Sequence, residues 1–180
     1  DVTDPMTQKF TAVDGIPDDV QPTYDPSTYR GGIPDAGPNV GAWTSIALAD
    51  HTARIAYQDR DAGALKYAYE IKAGGKWQSY VVDGGDTEPT TNQQTGQYAS
   101  LIIDGSGNPA IAYIATGVDD GMGHMTTELR LARATTANPG SASDWQMSTI
   151  ATAPGSCGGI CASGTSCVAD AMNVESCVAP

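Results

Sequence analysis

Between Ala42 and Ala151 the apolar residues fall in short runs, alternating or continuous, bounded by Gly, Asp, Asn or Pro. Runs of this kind predict β-strands. The runs occur twice in the same order. TSIAL (Thr44–Leu48) is answered by ASLII (Ala99–Ile103), and RIAY (Arg54–Tyr57) by AIAY (Ala110–Tyr113). ALKYAY (Ala64–Tyr69) is answered by ELRLAR (Glu128–Arg133), and KWQSYVV (Lys76–Val82) by DWQMSTI (Asp144–Ile150). Ala49-Asp50-His51-Thr52 and Asp104-Gly105-Ser106-Gly107-Asn108 stand where hairpin turns belong, since small polar residues tolerate positive φ or bond their own backbone. Each repeat therefore predicts a four-stranded antiparallel meander.

A repeated meander with a Trp near its fourth strand predicts propeller-type blades in an all-β chain. A third, partial match sits near the start: KFTAVDG (Lys9–Gly15) parallels QSYVVDG (Gln78–Gly84). It reads as the last strand of a blade whose other strands are not in the chain. The expected organisation is a leading strand and long Pro/Gly/Asp loop over 1–41, a first blade and connection over 42–97, a second blade over 98–153, and a Cys-rich tail over 154–180. A propeller ring closes with about four to eight blades. Two and a fraction leave three solutions: a piece of a longer propeller, a ring completed by several copies, or two sheets packed as a sandwich. The matched placement predicts burial of Ile46, Leu48, Ile55, Tyr57, Leu65, Tyr67 and Val82. It predicts the same of Leu101, Ile103, Ile111, Tyr113, Leu129, Leu131 and Ile150.

The formal charge of −12 disfavours nucleic acid and anionic membrane surfaces as partners. No stretch approaches the roughly 18 apolar residues of a membrane-spanning helix. Asp1 without an initiator Met reads as a mature or trimmed end. All four cysteines, Cys157, Cys161, Cys167 and Cys177, lie in a tail rich in Gly, Ser and Ala that can bury little. Two disulfides would order it. Zinc is the competing reading, but the C-x3-C-x5-C-x9-C spacing lacks paired C-x2-C knuckles and a nearby His. Disulfides imply an extracellular or cell-surface location.

Candidate chemistry is sparse. Asp104, Ser106 and Asn108 place oxygen side chains at alternate positions, as the first half of a calcium loop does, without the later bidentate Glu; an Asx-type turn is the plainer reading. Asp59-Arg60-Asp61 and Asp119-Asp120 sit in equivalent connections and could hold a cation or simply solvate their loops. Tyr24, Tyr29 and Arg30 in the long loop are residue types enriched at binding hot spots, or anchors of that loop. Trp77 and Trp145 occupy matched positions, suited to packing between blades or to stacking on sugars. His51 and His124 stand in no metal or catalytic spacing, and no G-x-S-x-G elbow is present. Paired carboxylates for glycoside hydrolysis require a spatial test.

The pattern TSIAL…RIAYQD…GALKYAY…GGKWQSYVVD resembles the blade repeats of large secreted or surface-attached bacterial propeller proteins, particularly exported proteins of myxobacterial type with short Cys-rich segments. The resemblance spans about Trp43–Ala151 and carries no catalytic residue. It implies a non-enzymatic extracellular binding or structural module whose partners are other protein chains or copies of itself, and possibly glycan. A polysaccharide-active hydrolase or lyase fragment and a lectin are the alternatives.

Overall fold

The computed structural model describes residues 13–15, 39–73, 75–84, 93–120, 125–154, 166–169 and 175–178. Residues Lys9–Ala12 of the expected leading strand, the loop bearing Tyr24, Tyr29 and Arg30, His124, and Cys157 and Cys161 lie outside the described residues.

The chain is all-β. Strands β1 (Val40–Ala49), β2 (Thr52–Asp59), β3 (Ala64–Glu70) and β4 (Trp77–Asp83) form one antiparallel sheet in sequence order. Strands β5 (Gln94–Ile103), β6 (Pro109–Asp119), β7 (Met125–Ala134) and β8 (Trp145–Pro154) form a second of identical order. A 3-10 turn, Ala142–Asp144, precedes β8. Strands β9 (Ser166–Ala169) and β10 (Glu175–Val178) pair as a separate hairpin, with Cys167 opposite Cys177.

The backbone repeats with the sequence. Gly41 and Gly96 have φ of 90° and 89°, and Trp43 and Tyr98 both have 54°. Each pair sits where the register of the first strand shifts against the second, so both strands bulge at the same place. Asp50 and His51 both adopt positive φ in the β1–β2 turn, the geometry of a two-residue hairpin whose twist suits its strands.

The sheets pack with like orientation, one face of the first on the opposite face of the second. Ala56, Leu65, Tyr67 and Val82 of the first sheet meet Leu101, Ile111, Tyr113, Ala132, Ala134 and Trp145 of the second in one core. Tyr67 lies at its centre, edge-on to the Trp145 ring at a centroid distance of 5.1 Å. Its buried hydroxyl has no protein partner among the described residues. An unpaired buried hydroxyl costs free energy that a phenyl ring does not. Tyr67→Phe is therefore expected to leave stability unchanged or raise it by about 1 kcal/mol, read from the urea midpoint.

This stacking corrects part of the burial expected from the repeat. Leu101 is 6% exposed but its counterpart Ile46 is 63% exposed, and Leu48 is 73% exposed. Leu65 is fully buried while its counterpart Leu129 is 38% exposed; Val82 and Ile150 differ likewise, at 2% and 59%. Ile55, Ile103 and Leu131 are half-buried. The reason is geometric. Side chains alternate across a sheet, and each sheet turns only one face to the other. The repeat places the same apolar positions on both sheets, but the covered face is the front of one and the back of the other.

Candidate functional site

The residues that join the sheets show what one repeat recognises in the next. Thr95, at the start of β5, is fully buried. Its hydroxyl donates to the Asp83 carbonyl at 2.7 Å and accepts from the Leu65 amide at 2.9 Å. The Gln58 side-chain amide donates to the Thr95 carbonyl at 3.1 Å, and the Leu101 amide to Ser45 Oγ at 3.0 Å. Arg54 donates to Asn138 Oδ1 at 3.0 Å. Trp145 Nε1 donates to the Tyr80 hydroxyl at 3.0 Å, which in turn donates to the Pro139 carbonyl at 2.9 Å.

At one end of this interface, Asp83 is clasped from the second sheet. Its Oδ2 accepts from the Tyr113 hydroxyl at 2.6 Å and from Arg130 at 2.9 Å. Arg130 also holds Glu128 at 2.6 Å. The same clasp recurs on the outer face of the first sheet. There Asp14 Oδ2 accepts from the Tyr57 hydroxyl at 2.6 Å and from Lys66 at 2.5 Å. Tyr57 corresponds to Tyr113, Lys66 to Arg130 and Asp14 to Asp83 in the repeat. Gly15 and Gly84, which follow the two aspartates, have φ of 77° and 78°. Val13–Gly15 therefore sits on the first sheet as Val82–Gly84 sits on the second. Sequence comparison matched the two VDG endings but missed the clasp. A Tyr and a basic residue at matched positions in both repeats were the available signal.

Beside this second clasp is a cavity of about 220 Å³ whose walls include Val13, Gly41, Thr44, Ile55 and Tyr57. The Thr44 hydroxyl donates to the Gly41 carbonyl at 2.6 Å. At the matching place between the sheets the space is full. A Cβ on Gly96 would lie 2.9 Å from Leu65 Cα and 3.2 Å from Leu65 Cβ, whereas one on Gly41 would meet nothing within 4 Å.

Of the aromatic candidates, Trp145 is buried in the core and does not offer a stacking face. Trp77 is half-buried on the outer face of the first sheet. Among the described residues the exposed aromatics are instead Trp43 and Tyr98, on the two bulges, with ring centroids 4.0 Å apart. Neither was singled out as a ligand contact from sequence; an aromatic opening each repeat was the signal.

Asp104 Oδ1 accepts from the Ser106 and Asn108 amides at 2.8 and 2.9 Å, and the Asp104 amide donates to the Asn108 carbonyl. This is the Asx-type turn, with the carboxylate turned on its own loop. Asp59 likewise accepts from the Asp61 and Ala62 amides. Among the described residues no group of three or more His, Cys, Asp and Glu side chains could hold a metal ion, and no helix is long and apolar enough to cross a membrane.

The clasps set a pH window. Burial alone would raise the Asp14 carboxyl. Hydrogen bonds from Lys66, Tyr57 and the Gly15 amide outweigh it and hold the group below its ordinary value. A depressed carboxyl stabilises the fold above its unfolded pKa, about 3.9, and that contribution is lost as pH falls through the folded value. Burial pushes Tyr80 up to about 12. It also raises Tyr57, Tyr67 and Tyr113, with the hydrogen bonds to Asp14 and Asp83 adding to the effect at Tyr57 and Tyr113. A raised phenol stabilises fully below its unfolded pKa, and stability falls once pH exceeds about 10. Tyrosinate absorbance and far-ultraviolet circular dichroism should change together above that pH. Titration of these four tyrosines near pH 10 with the sheets intact would contradict it.

No protein-family model, curated protein or solved structure matches the chain.

Proposed function

We propose that this chain is a non-enzymatic structural and binding module, built of propeller-type blades and belonging to a larger extracellular or cell-surface assembly. The observation that supports this reading is exposed apolar surface on both sides of the pair of sheets. Ile46 and Leu48 on one side, and Ile102, Leu129 and Ile150 on the other, are exposed. Several stand at positions whose repeat counterparts are buried. Front-to-back contacts of this kind are heterologous: they propagate into rings or filaments rather than closing on two sheets. Exposed apolar surface of this sort marks an interaction face. The Cys-rich tail is proposed to be tied by two disulfides, which intact mass after alkylation without reductant would reveal as an absence of free thiols.

Sedimentation velocity over the micromolar range tests the module reading. Concentration-dependent association, diminished by Leu48→Asp or by Ile102→Asp, is the expected result. A single monomeric species at every concentration, unchanged by either substitution, would refute it.

A second reading, glycan binding, is favoured by the exposed Trp43–Tyr98 pair. Non-glycine residues held at positive φ carry backbone strain, which concentrates at functional sites. A glycan array that binds the chain but not its Trp43→Ala variant would support it. The hydrolase or lyase reading has less behind it, because Asp14, Asp59, Asp83 and Asp104 are engaged by backbone amides or by Tyr, Lys and Arg side chains.

A further inference from the structure

We infer that the β9–β10 hairpin is closed by a disulfide between Cys167 and Cys177, which leaves Cys157 and Cys161 as the second pair of the tail. This rests on the two-disulfide reading proposed above and chooses one of its three pairings.

The register carries the choice. Strands β9 and β10 run antiparallel with Cys167 opposite Cys177, Val168 opposite Ser176, Ala169 opposite Glu175 and Ser166 opposite Val178. Residues directly opposite in an antiparallel pair stand about 4.5 or 5.5 Å apart at Cα, according to whether they share hydrogen bonds. A disulfide bridges Cα separations of about 4.4–6.8 Å, so either kind of pair is within its span. A slip of one residue would put Ser176 or Val178 opposite Cys167 and lose the match. Strand pairing has already closed the loop between the two cysteines, so bonding them orders no further backbone. Any other pairing makes each of them pass over its opposite neighbour and close a new loop to a residue outside the hairpin.

The hairpin also needs such a tie. Its strands hydrogen-bond to each other and, among the described residues, to neither four-stranded sheet. A two-stranded hairpin is marginal in water by itself. Its valines, Val168 and Val178, are 48% and 42% exposed, so apolar burial adds little. A bond across the strands restricts the unfolded chain and supplies what packing does not.

The bond forms by thiol–disulfide exchange with a disulfide oxidant of the kind present outside the cytosol. One cysteine thiolate attacks the oxidant and releases one thiol. The other then displaces the second thiol and closes Cys167–Cys177. Two protons and two electrons leave the pair, and the oxidant departs as two thiols.

Peptide mapping tests the pairing. The chain is produced through an oxidising compartment, alkylated without reductant and then cut. Trypsin is of no use, since no Lys or Arg follows Arg133. Elastase cuts beside the Ala and Ser residues between Cys161 and Cys167, and cyanogen bromide cuts at Met172, between Cys167 and Cys177. Mass spectrometry is expected to find a peptide with Cys167 linked to one with Cys177, and no alkylated cysteine. Cys167 linked to Cys157 or Cys161 would overturn the pairing and leave the two-disulfide reading standing. A Cys167–Cys177 link with Cys157 and Cys161 alkylated would keep the hairpin bond and overturn the second pair. Four alkylated thiols, or stoichiometric zinc, would overturn both readings. Hydrogen exchange tests the tie. Cys167→Ser together with Cys177→Ser should lower amide protection over β9 and β10 by at least about tenfold. Strands β1–β8 contain no cysteine and should keep theirs. Full protection of the hairpin in the double variant would overturn the bond as what holds it.

Discussion

Replacing Gly96 by Ala should destabilise the chain much more than the same change at Gly41, although the two glycines share a backbone conformation. Each alanine incurs the left-handed cost, about 1–2 kcal/mol. Only the one at position 96 also drives its β-carbon into Leu65, against backbone that cannot rotate away. Overpacking of that kind adds about 1–3 kcal/mol. The expected losses are about 2–5 kcal/mol at Gly96 and about 1–2 kcal/mol at Gly41. Urea unfolding of both variants measures them. Equal losses would mean that the sheets do not pack as closely at β3 and β5 as described.

Asp83→Ala is the second large effect. It strips the Tyr113 hydroxyl of its acceptor and leaves Arg130, largely covered, with Glu128 alone. Removing one partner from a covered charge pair costs far more than an exposed ion pair is worth, because the remaining charge stays desolvated. A loss of about 2–4 kcal/mol is expected. A double-mutant cycle with Tyr113→Phe should show coupling of about 1 kcal/mol or more, since the two side chains touch. Additive effects would mean that Asp83 acts through Arg130 only.

Much of the local architecture was legible in the chain. The matched blocks located all eight strands of the two sheets, because alternation at period two and small polar turns are local signals. The pairing of KFTAVDG with QSYVVDG located Asp14 and Gly15, whose clasp and positive φ repeat those of Asp83 and Gly84. The assignment of faces was not legible. Ile46 and Leu101 look alike in sequence, and nothing local says that one is covered and the other bare. Trp145 likewise could not be divided between core packing and sugar stacking until its neighbours Tyr67 and Tyr80, distant in sequence, were in place.

The number and order of strands in the two sheets, and the chemistry of their turns, were thus determined by the sequence itself, through contacts between neighbours along the chain. Tertiary structure alone decided which face of each sheet is buried, which aspartates are clasped, and that Gly96 is filled while Gly41 is open. These depend on contacts between repeats. A repeated sequence offers the same face twice, and only the stacking of one sheet on the other distinguishes the face that is used from the face left free.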